Sequence, residues 1–174
     1  MDPLKPKFKI LFICTGNSAR SIFAEYLLKR MAPLRFEPHS AGANPKRAPH
    51  PFTLEVLRET YQIAAEDARS KPMEEFKDQE FDFVITLCDY AREVCPSWPG
   101  QPIIAHWGTP NPADFYGDAV AKRHFFWRIS QQINRRLELL TSLPFDKLDA
   151  LRLDAATKEI GTCEKIEIEK TPAS

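Results

Sequence analysis

Short apolar runs alternate with stretches of helical periodicity along most of this chain, and that alternation restricts the fold more than any other feature. Residues 8–13, "FKILFI", form an apolar run of the kind found in buried parallel strands. Residues 21–31 carry Ile22, Phe23, Tyr26, Leu27 and Met31 on one helical stripe, which Pro33 stops. Residues 36–39 read as a second strand ended by the turn "SAGANP", and residues 52–61 as a helix with Leu54, Val56 and Leu57 apolar. Residues 81–87, "FDFVITL", predict the clearest strand, and residues 103–107 a weaker fourth. Residues 118–140 predict a long helix, with Phe126, Ile129, Ile133, Leu137 and Leu140 three and four apart. Residues 146–160 predict one more helix, followed by a charged tail, "EKIEIEKTPAS", that is expected to fray. Strands alternating with helices argue for an α/β fold, a parallel sheet covered on both faces.

Size and charge narrow the function. A chain of 174 residues, 43% of them hydrophobic, suits one globular domain with a full-sized core. Lys plus Arg and Asp plus Glu both total 24, so charge gives no case for a nucleic-acid partner. No apolar run approaches the ~20 residues of a membrane helix, so no membrane partner is expected. The N-terminal "MDPLKPKFK" lacks the apolar core of a secretory signal, which predicts a cytoplasmic protein. In that setting four cysteines point to catalysis, redox chemistry or burial rather than to a structural disulfide framework.

The first strand-to-helix junction, "ILFICTGNSARSIFAEYLL" at residues 10–28, carries the most specific chemistry. A loop that leaves a parallel strand and enters a helix points backbone N–H groups at one spot, where the helix dipole adds positive charge. Such a spot binds a tetrahedral oxyanion, here across Thr15, Gly16, Asn17, Ser18 and Ala19, with Arg20 clamping two oxygens through its planar fork. Gly16 is expected to let the loop curl without a Cβ clash. The same field favours a thiolate at Cys14, a nucleophile aimed at the centre of the oxyanion, and Ser21 can hydrogen-bond it. The alternative is a buried cysteine ending a strand beside an unrelated arginine. The Gly, Asn and Ser inside the loop argue against that.

The motifs "CTGNSARS", "HSAGANP", "PHPFTLEVLRE", Ser70–Lys71 and "VITLCDYAREVCP" resemble, in order and spacing, those of the low-molecular-weight tyrosine phosphatase superfamily. Within it they are most similar to the thioredoxin-coupled arsenate reductase branch. The similarity runs from about Phe8 to about Leu140. It implies a four-stranded parallel sheet flanked by helices on both faces, with the site at the strand ends. Residues 1–144 are then the family-like domain, and residues 145–174 a C-terminal helix and tail.

Phosphate and arsenate have nearly the same shape and charge, so discrimination must come from outside the loop. Cys88 and Cys95 follow the third strand. In the resembled branch, cysteines at these positions complete an electron relay. Cys14 attacks arsenate, Cys88 attacks Cys14 and releases arsenite, and Cys95 attacks Cys88; a dithiol reductant such as thioredoxin then takes the disulfide. A phosphatase needs neither thiol. No second close cysteine pair or spaced histidine pair accompanies them, which argues against zinc. If residues 88–95 are helical, the rise alone separates the two Cα atoms by roughly 10.5 Å. A disulfide tolerates only about 7 Å. The segment must then change conformation, unless it is an irregular loop whose sulfurs are already close.

Two departures from the family pattern stand out. A phosphatase protonates its leaving group, which in this superfamily falls to an aspartate before a proline. The matching stretch, "HWGTPNPADFYGD", has Asn111–Pro112 there, with Asp114 three residues on as a candidate substitute. Asn111 counts against an efficient phosphatase and also departs from the reductase branch. The second departure concerns potassium, which some reductases of the branch bind. Asn17, Glu25 and Ser40 match three ligand positions; Ala64 stands at the fourth, with Glu66 and Asp67 near. The expectation is a hydrogen-bond scaffold that holds the loop without metal and no cofactor. His106 is expected to be structural. Arsenate reductase is therefore the leading expectation, and a tyrosine phosphatase using Cys14 and Arg20 the second. The third is a non-catalytic oxyanion-binding module, which needs no nucleophile and so fits Cys14 poorly.

Overall fold

The computed structural model describes residues 6–163 and Ile166; the expected frayed tail otherwise lies outside the described residues. Four strands form one parallel sheet: β1 (Phe8–Cys14), β2 (Phe36–Gly42), β3 (Phe83–Thr86) and β4 (Ile103–His106), in the order β2-β1-β3-β4. Among the described residues five α-helices accompany them: α1 (Arg20–Met31), α2 (Pro51–Tyr61), α3 (Asp89–Glu93), α4 (Ala119–Thr141) and α5 (Ala150–Ile160). The four-stranded parallel α/β sheet is the one expected.

Alternation along β1 divides the core. Ile10, Phe12 and Cys14 face a large apolar cluster built with α1, α4 and Ile160 of α5, while Leu11 and Ile13 face a smaller one. The chain steps to one side for β2 and to the other for β3 and β4. Right-handed crossovers therefore place α1 on one face, where α2 and α4 also pack, and the segments that lead into β3 and β4 on the opposite face. Those segments are slight: the 3₁₀ turn Met73–Phe76, α3 and Trp98 cover the smaller cluster.

Some boundaries differ from expectation, each for a physical reason. The strand at residue 36 does not end at His39. Ser40, Ala41 and Gly42 stay in β2, paired with Phe12, Ile13 and Cys14. Ladder pairing overrides the turn preference of these small residues, and Pro38 is tolerated because β2 is an edge strand. The last helix starts at Ala150 rather than residue 146, because Asp149 caps it by accepting the Arg152 N–H at 2.9 Å. The α5 helix is tied to the sheet end, where Trp107 Nε1 donates to Thr157 O at 2.9 Å. Among the described residues, no helix is long and apolar enough to cross a membrane.

The strand order has one consequence for chemistry. From β1 the chain turns towards one face and from β3 towards the other, so a crevice opens between the C-terminal ends of these neighbouring strands. Cys14 ends β1, and Cys88 follows β3 by two residues.

Candidate active site

The loop after β1 is held from outside by its carbonyl groups. Cys14 O, Thr15 O and Gly16 O accept from the N–H groups of Ala43, Asn44 and Lys46 at 2.8–2.9 Å. Ser18 O accepts from His50 N–H and from the Thr53 hydroxyl. With the carbonyls so engaged, the N–H groups of residues 15–20 find no backbone acceptor among the described residues. Helix α1 has Ala19 at its N-cap, which supplies no side-chain cap, so its first N–H groups are unclaimed as well. The result is a nest of donors at a helix N-terminus, the arrangement that binds anions.

Gly16 avoids a clash as expected, since a Cβ there would meet Lys46 Cγ at 2.9 Å. The residue in the left-handed region is Asn17, with φ 45°. A second glycine, Gly42 at the end of β2, is also required by close approach, because a Cβ there would meet Thr15 O at 2.7 Å.

Asn17 is fully buried and sets the geometry of the thiol. Its Oδ1 accepts the Lys71 N–H at 2.8 Å, which fixes the amide so that Nδ2 donates to Ser21 Oγ at 2.7 Å. Ser21 Oγ therefore accepts from Asn17 and keeps its own O–H for Cys14 Sγ, 2.9 Å away. A hydroxyl so directed stabilises a thiolate. Cys14 itself is 1% exposed, so its sulfur reaches only what enters the loop.

A cavity of about 280 Å³ opens over the loop, lined by Cys14, Arg20, Lys46, Asn111 and Asp114 among others. It gathers every loop residue expected to bind substrate except Asn17, which stands behind the loop as its brace. Arg20 is held in place by donating to Thr109 O at 3.1 Å, leaving its other N–H groups for the cavity. Asn111 lies on the wall, but its Oδ1 caps its own 3₁₀ turn, Pro112–Asp114, by accepting the Ala113 N–H at 3.2 Å. Asp114 is thus the carboxylate at this mouth.

Two site residues were not anticipated. Lys46 adds a cation at the mouth. Arg136, fully buried, donates to Trp107 O, Gly108 O and Thr109 Oγ1 at 3.1–3.2 Å and so fixes the segment on which Arg20 rests. The sequence held one signal: Arg136 lies three residues after Ile133 and one before Leu137, on the stripe that faces the core.

Cys88 meets the loop directly, with Thr15 Oγ1 3.1 Å from its sulfur. It also caps α3, accepting the Ala91 N–H at 3.4 Å. Cys88 and Cys95 line one larger cavity of about 1040 Å³ together with His106. All four cysteines are free. Trp98 Nε1 donates to Cys95 Sγ at 3.3 Å, yet burial outweighs this and pushes the Cys95 thiol up. His106 is pinned between the Thr86 hydroxyl and Asp89, an anchoring role.

The implied potassium position does not fit a metal ion. Ser40 donates to Glu25 Oε2 at 2.9 Å, so two of the implied ligands do meet, but a lysine stands among these groups. Lys71 Nζ lies 3.3 Å from Ser40 Oγ, 3.8 Å from Glu25 Oε2 and 2.8 Å from Arg69 O. The residue that reaches this cluster from beyond α2 is therefore Lys71. Ala64 is exposed, and the Asp67 carboxylate is taken by the Tyr26 hydroxyl at 2.7 Å. Burial raises the Glu25 carboxyl and lowers the Lys71 ammonium, each opposed by the partner's charge. The hydrogen-bond directions favour the ion pair, because Ser40 accepts from the ammonium and donates to the carboxylate.

A parallel sheet that presents a buried thiol within an anion-binding nest is the scaffold of a cysteine-dependent oxyanion enzyme. This chain belongs to the low molecular weight phosphotyrosine protein phosphatase family, whose model matches residues 9–150. It is 32% identical over 129 residues to an arsenate reductase of Halalkalibacterium halodurans, covering 74% of this chain and 91% of that one. Its structure is similar to a thioredoxin-dependent arsenate reductase of Corynebacterium glutamicum, with a TM-score of 0.62 at 29% identity. That match covers 83% of this chain, which spans 65% of the Corynebacterium protein. An arsenate reductase in the phosphate binding state gives a TM-score of 0.62 at 26% identity, covering 75% of this chain and 94% of that one.

Proposed function

We propose that this chain is an arsenate reductase that works by a thiol relay. The Cys14 thiolate attacks arsenic and forms a sulfur–arsenic bond, while one oxide leaves as water after taking up protons. Cys88 then attacks Cys14 Sγ. A disulfide forms, the sulfur–arsenic electron pair passes to arsenic, and arsenite departs two electrons richer. Cys95 attacks Cys88, which frees Cys14 as a thiolate and leaves a Cys88–Cys95 disulfide. A dithiol protein such as thioredoxin reduces that disulfide, a partner that fits a cytoplasmic setting.

The observation that carries this reading is the contact between Thr15 and the Cys88 sulfur, 3.1 Å. It sets a second thiol against the oxyanion loop, where a hydrolytic enzyme has no use for one. The loop N–H groups, the α1 N-terminus and Arg20 hold the oxyanion, and Ser21 steadies the Cys14 thiolate. Asp114 is the group we assign to moving protons to the departing oxide, since Asn111 is committed to its turn.

The test is arsenate reduction coupled to thioredoxin and its reductase, run beside hydrolysis of a phosphotyrosine analogue. Arsenate turnover with weak or absent hydrolysis is expected. Hydrolysis without arsenate turnover would favour the second reading, a tyrosine phosphatase. The placement of Asp114 at the mouth of the cavity keeps that reading open.

A further inference from the structure

The relay leaves one buried cation without a part. Lys71 is 6% exposed, lies beneath the oxyanion loop and has no route to the arsenic. Its Nζ donates to Arg69 O at 2.8 Å and to Ser40 Oγ at 3.3 Å, and faces Glu25 Oε2 at 3.8 Å. A carboxylate, a hydroxyl and a backbone carbonyl are hard oxygen donors, the kind that gather round a small cation. The same residue's N–H holds Asn17 Oδ1, and Ser70 Oγ donates to Asn17 O at 2.7 Å. From Asn17 the contacts continue to Ser21 and then to the Cys14 sulfur.

We propose that the Lys71 ammonium is the permanent cation of the oxyanion loop. It fills the seat between Glu25 and Ser40 that would otherwise take a potassium ion, so the loop is set without one. The ammonium carries the single positive charge that balances Glu25, and a second cation in the same seat would meet its repulsion in a poorly screened interior. Being tethered, it cannot exchange with solvent or be diluted away. The corollary is that emptying the seat creates a dependence on potassium that the natural chain lacks. This holds whichever reaction the loop catalyses.

The experiment compares the wild type with Lys71→Ala, which empties the seat, and with Lys71→Met, which fills it with an uncharged stem. Thermal midpoints and affinity for inorganic phosphate are measured in potassium chloride and in choline chloride at equal ionic strength. The wild type should give the same midpoint and affinity in both salts. Lys71→Ala in choline should unfold several degrees lower and bind phosphate about tenfold more weakly, as for other supporting contacts to a binding site. Potassium should restore much of both. Lys71→Met should stay impaired in both salts. A wild type that gains stability or affinity from potassium would overturn the proposal. So would a Lys71→Ala protein that is unaffected, or impaired equally in the two salts. Lys71→Ser is the substitute if the alanine variant cannot be purified, with the same expectations. If the wild type binds no phosphate, the oxyanion site is refuted, and the thermal comparison still judges Lys71.

Discussion

The Thr15 hydroxyl and the Cys88 sulfur lie 3.1 Å apart, across two loops that leave adjacent strands of the sheet. Pairing brings them together. Ile13 sits opposite Thr86, and the Leu87 N–H donates to Ile13 O at 2.8 Å, so β1 and β3 end level with each other. Residues 73 apart thus share one pocket edge.

Cys14→Ser should abolish arsenate reduction and any phosphatase activity. Ser21 Oγ remains 2.9 Å from the substituted position, so the fold should persist. Steady-state turnover and circular dichroism check the two halves. Appreciable turnover by this variant would sink the mechanism.

Cys88→Ser and Cys95→Ser should each stop multiple-turnover arsenate reduction while sparing any hydrolysis of a phosphotyrosine analogue, because only the electron path is cut. Cys163→Ser should cycle normally. Were the Cys95 variant to cycle with thioredoxin at the wild-type rate, the order of attack would be wrong.

Asn17→Ala should lower unfolding free energy by about 3 kcal/mol, since a buried donor and acceptor lose their partner and alanine must adopt a left-handed φ. Asn17→Gly keeps the backbone preference and should lose about 1 kcal/mol less. Urea unfolding of both variants checks the magnitude, and equal losses would remove the backbone share.

His50 caps α2 by accepting the Phe52 N–H on Nδ1 at 3.1 Å, and burial holds its pKa below the usual histidine range. A lowered folded-state pKa means that the unfolded chain binds the proton more tightly. His50 therefore contributes stability that is present above about pH 6.5 and lost as pH falls. His50→Asn retains a cap that does not titrate. Between about pH 7.5 and about pH 5.5 it should lose less stability than the wild type in urea titrations. A pH profile parallel to the wild type would refute this.

The segment from Cys88 to Cys95 should change conformation on oxidation. With the thiols free it contains α3, Cys88 caps that helix, and Cys95 is held by Trp98. A disulfide needs Cα atoms within about 7 Å, and the helical rise of α3, Asp89–Glu93, between the two cysteines opposes so close an approach. Hydrogen exchange on matched reduced and oxidised samples should show protection lost across residues 88–95. Unchanged protection would rule out the rearrangement.

Much of this was legible in the sequence because periodicity reports burial. Phe126, Ile129, Ile133, Leu137 and Leu140 marked α4, and all are buried. The loop around Cys14 was legible because its chemistry is local, within one strand-to-helix junction. What escaped was set by partners distant in sequence. Ser40 to Gly42 read as a turn until β1 is placed beside them. Lys71 stands in the sequence only as part of the motif Ser70–Lys71, and it takes Glu25 and Ser40, both far upstream, to show that it is internal. Asn111 and Asp114 were named as candidates, yet only the 3₁₀ turn shows that one is spent on capping and the other lines the cavity.

Thr109 is held by two arginines at once: Arg136 reaches its hydroxyl, and Arg20 donates to its carbonyl. Arg136 in turn donates to Gly161 O at 3.2 Å, just beyond α5, where a Cβ at Gly161 would lie 2.1 Å from His106 O. A random mutagenesis screen for lost activity should therefore recover alleles at Gly161 as readily as at the pocket. Such alleles would map outside the stretch shared with the family, and a geneticist plotting them along the gene would see a second cluster with no chemistry of its own.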